Sequence, residues 1–279
     1  MCIVFLWRRN ASQPKGRIKF VLAGNRDEFF HRPAKDADYW DENSNVLGGR
    51  DMTEGVSGGT WMGVNKHGKI GFLTNIRGST FGVDPAKANM KGRGALVSDF
   101  LLSELSAEAY IKQLENERMR YKPFNLVCGD VLNDQYFYSN SVDQQPAQLL
   151  TQDSISLSNG TLGCGWFKVD RSREKFEKLV NENVDSEPTA LLEKLQTFLK
   201  CTERNFPDEN IKVENPFNEV LSSIFIPMHP QHNYGTRTNT MMVVEENNRA
   251  TFLERTMCQA NDPTSQWKKS LFQFDMMVN

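Results

Sequence analysis

The chain opens on Cys2-Ile3-Val4-Phe5-Leu6-Trp7, an unbroken apolar run of β-branched and aromatic residues. Such a run specifies a buried strand, and it starts on a thiol. Aminopeptidases remove an initiator Met that precedes a small residue, so Cys2 is expected to become the first residue. Its thiol would then share one residue with an α-amine whose pKa is about 7.7 to 8.0. A useful fraction of that amine is neutral near pH 7 and can accept the thiol's proton, which makes a nucleophile carrying its own base. The alternative is a small apolar residue in a core strand, the ordinary use of a buried cysteine. Position alone leaves both readings open.

The 279 residues are 39% apolar and include 18 Phe and 5 Trp, ample for a core. No repeat, low-complexity tract or linker interrupts them, so a single domain over residues 1–279 is expected. Lys plus Arg (33) nearly balances Asp plus Glu (35), so no global field recruits nucleic acid or anionic membrane. Local patches could still do so, but nucleic acid is not an expected partner. The five cysteines are an odd number without a CxxC pair, which argues against a disulfide framework and a structural zinc site and fits a reducing compartment. No apolar run approaches the roughly 20 residues of a membrane span, and the apolar opening is too short for a signal peptide. Before Asp27 there is no acidic residue, while Arg8, Arg9, Lys15, Arg17, Lys19 and Arg26 are basic, a mitochondrial presequence trait. Cleavage would discard Cys2 and a core strand, so a mitochondrial location implies an uncleaved signal.

After the first strand, residues 10–16 carry turn chemistry and Arg17 to Gly24 alternates as a second strand, completing a hairpin. The far end delivers Asn25-Arg26-Asp27-Glu28, either a solvated turn or a site beside the N-terminus. Gly58 to Val64 and Lys69 to Asn75 form a second expected hairpin. Ile76 to Gly94, without a period, reads as a long mobile loop that could serve as a lid. Helices are expected over 95–105 and 107–118, with Ser106 as the N-cap of the second. Phe124 to Leu132, Gln135 to Tyr138 and Ile155 to Asn159 read as three neighbouring strands. Helices follow over 168–180 and 188–200, the latter with Ser186 as cap and Pro188 in its first turn. Leu221 to Ile226, Thr238 to Val244, Ala250 to Thr256 and an edge strand over 267–274 close the chain. Strands at both ends with helix pairs between them imply two sheets stacked together and covered by helices, an α+β class.

Several motifs recur in order: Met1-Cys2-Ile3, Ala23-Gly24-Asn25-Arg26-Asp27-Glu28-Phe29, Gly58-Gly59-Thr60-Trp61-Met62-Gly63, Leu73-Thr74-Asn75, Lys91-Gly92-Arg93-Gly94, Phe124-Asn125-Leu126, Leu157-Ser158-Asn159 and Tyr234 to Thr240. In this set the chain resembles the NRDE family, also called transport and Golgi organisation protein 2, from residue 1 to about the C-terminus. The resemblance implies the four-layer αββα sandwich of the N-terminal nucleophile hydrolases, two stacked, mainly antiparallel sheets. Cysteine members of that superfamily, such as penicillin V acylase and bile salt hydrolase, place the N-terminal Cys with an Arg, an Asp and two Asn. By likeness the catalytic candidates are Cys2, Asn25, Arg26, Asp27, Glu28, Asn75, Asn159 and Arg237. Asn75 and Asn159 resemble the oxyanion asparagines and Arg237 a further site arginine. The register departs from the Arg-x-x-Asp pattern, setting Asn25 opposite the Arg and Glu28 opposite the Asp.

Histidines 31, 67, 229 and 232 have no HxxxH or HExxH spacing, so no closed metal site is expected. No CxxCH or Cys-Pro motif marks a covalent or regulatory haem site. Labile haem needs only an apolar cleft, an exposed thiol or imidazole and arginines for its propionates. Cys2, His31, His232, Arg26 and Arg237 are the candidates. The resemblance further implies a cytoplasmic and mitochondrial protein linked to haem trafficking, lipid or acyl metabolism, Golgi organisation and secretion. Two functions are therefore expected: a weak haem carrier that hands its cargo to haem-accepting proteins, or a Cys2-dependent hydrolase acting on an amide or thioester of an acylated metabolite. Either takes a small hydrophobic ligand.

Overall fold

The computed structural model describes residues 2–10, 16–55, 58–77, 90–142, 145–211, 217–228, 233–258 and 265–278. In chain order the strands are β1 (Cys2–Arg8), β2 (Ile18–Phe29), β3 (Ala34–Trp40), β4 (Asn43–Asp51), β5 (Met62–Asn65), β6 (Lys69–Asn75), β7 (Phe124–Asp130), β8 (Gln135–Asn140), β9 (Gln148–Leu149), β10 (Ser154–Leu157), β11 (Tyr234–Glu245), β12 (Arg249–Met257) and β13 (Trp267–Asp275). The helices are α1 (Ala95–Leu102), α2 (Ala107–Glu115), α3 (Phe167–Asn181) and α4 (Pro188–Leu199). None of them is long and apolar enough to cross a membrane.

The chain divides into two compact units. The first holds residues 1–32, 152–158 and 162–275. Its six-stranded sheet runs β10-β1-β2-β11-β12-β13, antiparallel throughout. Ile3, Phe5 and Trp7 of β1, Val21 and Ala23 of β2 and Met241 and Val243 of β11 point to one face. There they pack on Phe176 and Val180 of α3 and Leu191, Leu192, Leu195 and Leu199 of α4. Each such buried side chain stabilises the unit by roughly 1.5 to 3 kcal/mol relative to exposure. Val4, Leu6, Leu22 and Met242, on the opposite face, are buried as well. Burial on both faces is why β1 shows no polar alternation.

The second unit holds residues 33–151, 159–161 and 276–279. Its seven-stranded sheet runs in sequence order from β3 to β9, again antiparallel. Leu73, Phe124, Leu126 and Cys128 meet Leu96, Val97 and Phe100 of α1 and Ile111 and Leu114 of α2. Ser106 caps α2, accepting the Ala109 N–H at 3.2 Å. The Gly58-Gly59-Thr60 and Lys91-Gly92-Arg93-Gly94 motifs meet here. A Cβ on Gly59 would lie 2.5 Å from the Gly94 oxygen, and Thr60 N donates to that same oxygen at 3.2 Å.

Several local expectations change. Residues 25–28 are no turn: β2 runs straight through them to Phe29, held by β1 and β11. The strand at 154–157 pairs with β1, not with β7 or β8, and residues 221–226 form a short 3-10 turn and bends instead of a strand. Ser186 does not cap α4, whose N-cap is Glu187 without a side-chain bond. Strands β3 and β4 had no counterpart in the sequence reading. The lid expected over 76–94 lies largely outside the described residues.

Candidate functional site

Strand pairing builds the site of the first unit. Cys2 opens β1, half-buried, and faces Arg26 across the β1–β2 ladder. Its carbonyl accepts the Ser158 hydroxyl at 2.9 Å, which fastens the strand's first residue to the segment after β10. Burial pushes the Cys2 thiol up, and the Asp27 carboxyl pushes it the same way. An N–H from the Asp27 backbone and the Arg26 charge oppose that rise. At neutral pH the sulfur is therefore a thiol that needs a base, not a resident thiolate.

Asp27 is 1% exposed. Its Oδ1 accepts the Thr236 hydroxyl at 2.5 Å, and its carbonyl accepts the Tyr234 hydroxyl at 2.9 Å. Burial raises its pKa, and Lys168 pulls it back. Lys168, in the first turn of α3, is only 3% exposed, and its Nζ donates to the Leu221 carbonyl at 3.1 Å. Burial lowers its pKa, countered by Asp27 and Cys2. Thiol, carboxylate and ammonium thus form one electrostatically linked group with Arg26 beside them. Sequence reading missed Lys168, although it sits four residues before Ser172 and eight before Phe176, on the buried stripe of α3.

The neighbouring candidates point elsewhere. Asn25 turns to the helix side of the sheet, where its Nδ2 donates to Leu199 O (2.8 Å) and Ile224 O (2.9 Å) while its Oδ1 accepts from Asn239 Nδ2 (2.7 Å). Glu28 Oε1 accepts the Phe29 N–H at 2.9 Å, and its carboxylate lies 3.8 Å from Arg32. It is Asp27, not Glu28, whose charge reaches Cys2. Arg237, buried at a break in β2–β11 register, donates through Nη1 to Phe29 O (2.9 Å) and Arg32 O (2.5 Å).

At the end of β2 the chain turns outward. Phe29 is 44% exposed, its ring 5.3 Å from Tyr234 and 5.5 Å from the exposed imidazole of His31. His232 lies outside the described residues. Among the described residues no three His, Cys, Asp or Glu side chains converge as metal ligands.

Asn75 and Asn159 belong to the second unit and bond each other, Asn159 Nδ2 donating to Asn75 O. Arg93 Nε donates to Asn75 Oδ1, and Arg77 N to Asn159 O at 2.9 Å.

Two solved structures share the fold. Penicillin V acylase from Agrobacterium tumefaciens superposes with a TM-score of 0.50 at 13% identity, over 99% of this chain and 86% of that one. A mutant of the conjugated bile acid hydrolase from Clostridium perfringens gives 0.52 at 9% identity, over 100% and 99%. These likenesses show the fold, the α+β fold of the N-terminal nucleophile hydrolases that the sequence implied. In sequence, the mouse transport and Golgi organization 2 homolog is 33% identical over 283 residues, covering 99% of both chains, and the Bos taurus homolog 34% over 281 residues, covering 98% and 99%. The family model described as Transport and Golgi organisation 2 matches residues 1–259, and the chain belongs to that family.

Proposed function

We propose that the chain is an intracellular carrier that binds haem weakly, mobilises it from mitochondria or storage compartments to acceptor proteins, and thereby bears on Golgi organisation and secretion. The observation that carries this reading is the exposed surface of Phe29 and His31 at the end of β2, beside the half-buried Tyr234 of β11. An aromatic surface accepts a porphyrin face, and an imidazole ligates iron. Arg32, whose side chain is 35% exposed, offers a guanidinium to a propionate. Arg26 and Arg237 are buried, and Arg237 is committed to backbone carbonyls, so Arg32 is the better propionate partner. One exposed imidazole as the iron ligand gives loose binding, which suits a protein that must release its cargo. Haemin titration should shift the Soret band, and His31→Ala should weaken binding by about tenfold, one lost ligand bond's worth of roughly 1.4 kcal/mol. An unaltered Soret band, or a His31→Ala protein that binds as well as wild type, would refute the carrier.

The second reading, a Cys2-dependent amide or thioester hydrolase, is favoured by the linked charges of Cys2, Arg26, Asp27 and Lys168 in a fold shared with proteins named as an acylase and a hydrolase. An acylating probe should label Cys2, and Cys2→Ala should abolish turnover. Haem transfer that persists in the Cys2→Ala protein, without any turnover in wild type, leaves the carrier alone standing.

A further inference from the structure

A polar row crosses the sheet of the first unit on the face that meets the helices. Asn25 of β2 stands opposite Asn239 of β11, Asn239 opposite Arg255 of β12, and Arg255 opposite Lys269 of β13. The row lies against the end of α4, because Asn25 donates to the carbonyl of Leu199, the last residue of that helix, and Lys200 follows as its C-cap. The Phe225 N–H donates to Cys201 O at 2.8 Å, and the Phe225 ring lies 6.1 Å from that of Trp267. Trp267 shares its face of β13 with Lys269, and the Arg255 guanidinium sits 5.5 Å from the centre of the indole. Arg255, Lys200 and Lys269 have no task in either reading above.

Two buried atoms of the row are left over. Asn239 is 0% exposed; its Nδ2 is used on Asn25 Oδ1, and its own Oδ1 has no donor. Arg255 Nη1 is buried with no acceptor. Directly opposed side chains start about 5 Å apart, so one small group reaches both atoms. The surroundings are cationic. Among the described residues Arg255, Lys200 and Lys269 take part in no ion pair, and Glu203, close behind Lys200 in the chain, is paired with Lys175 at 2.5 Å instead. Burial lowers the pKa of Lys200 and the Arg255 charge lowers it further, so the two cations stand near enough to repel each other. A negative charge between them relieves that repulsion.

The group that fits must accept from a guanidinium and an ammonium and also donate to an amide oxygen. Carboxylates and sulfate esters only accept at neutral pH. A phosphomonoester does both near its second pKa of about 6, and Arg is the side chain best shaped to hold it. We propose that this row is a phosphomonoester-binding site, in which phosphate oxygens accept from Arg255 Nη1 and Lys200 while the remaining O–H donates to Asn239 Oδ1, with Lys269 at the rim. It stands independently of the haem and hydrolase readings.

The test titrates the 15N-labelled full chain with phenyl phosphate and with phenyl sulfate, following the indole N–H of Trp267 by NMR. At about pH 5 each ester carries close to one negative charge, and only the phosphate keeps an O–H. Phenyl phosphate should shift the Trp267 signal saturably and bind about tenfold more tightly than phenyl sulfate, the worth of one hydrogen bond. Arg255→Gln should weaken it about tenfold and Lys200→Gln about threefold. Lys268→Gln, which removes a charge from the opposite face of β13, should leave it unchanged. Absence of saturation, equal affinity for the two esters, or a loss in Lys268→Gln equal to that in Arg255→Gln overturns the proposal. If Arg255→Gln does not fold, Lys200→Gln, at an exposed side chain, takes its place in that comparison. Co-sedimentation with phosphatidylcholine vesicles carrying phosphatidic acid separates the sources of the phosphate. Pelleting that Arg255→Gln abolishes assigns a lipid headgroup, whereas protein that stays in the supernatant yet binds phenyl phosphate assigns a soluble ester.

Discussion

A lysine in the first turn of α3 is ordinarily a solvated side chain, yet Lys168 is buried with its ammonium on the Leu221 carbonyl and its charge felt at Asp27. Two buried ionisable groups of opposite sign tolerate each other where either one alone would lose its charge. The pair has a pH signature. Burial holds the Asp27 carboxyl above its usual range, so the folded state binds that proton more readily than the unfolded chain. Its contribution to stability is therefore complete below about pH 3.9, the unfolded value, and is lost as pH rises through the raised folded value. Asp27→Asn has no such titration. Relative to wild type, its melting temperature should climb as pH is increased from 4, and a difference that stays flat or falls would contradict the raised carboxyl. At this scale the sequence carried the identities of Cys2, Arg26 and Asp27 but not their wiring. The motif register left Asp27 and Glu28 both as candidates, and only the extension of β2 to Phe29 put Asp27 beside the thiol.

The elements most readable in the sequence were those with strong local periodicity or turn chemistry. The β1–β2 hairpin, α2 with its Ser106 cap and the β11–β12 hairpin at Asn248, which has a φ of 68°, are all of this kind. Pairing over long separations left no local mark, which is why β10 could be recognised as a strand while its partner, some 150 residues away in β1, could not. Strands β3 and β4 escaped because charged and polar residues interrupt their apolar positions, and the turn alternative for 25–28 failed because tertiary burial overrode composition. The close approach of Gly59 to Gly94 belongs to this scale as well. Gly59→Ala would force its methyl against the Gly94 oxygen and displace the bond from Thr60 N. A loss of about 1 to 3 kcal/mol in urea unfolding is expected, and a neutral substitution would show that the two motifs yield easily to one another.

Over the whole molecule, charge is almost balanced, with a formal net of −2. On the carrier reading, a ligand carrying carboxylates meets no net attraction from an overall charge of −2 and would rely on the local guanidinium of Arg32. Uptake of haemin should therefore change by no more than about twofold in rate between low and physiological salt, whereas a steered encounter would fall steeply. Stopped-flow absorbance separates the two.

The strand order β10-β1-β2-β11 carries a consequence for biosynthesis. The β1–β2 hairpin occupies the interior of its sheet, yet one flank has no neighbour until Ser154–Leu157 has been made and the other none until Tyr234–Glu245. For most of translation an apolar ribbon with two bare edges is on display, the kind of surface that invites intermolecular pairing. The nascent chain should lean on ribosome-associated chaperones throughout that interval, and shed them once β11 has emerged.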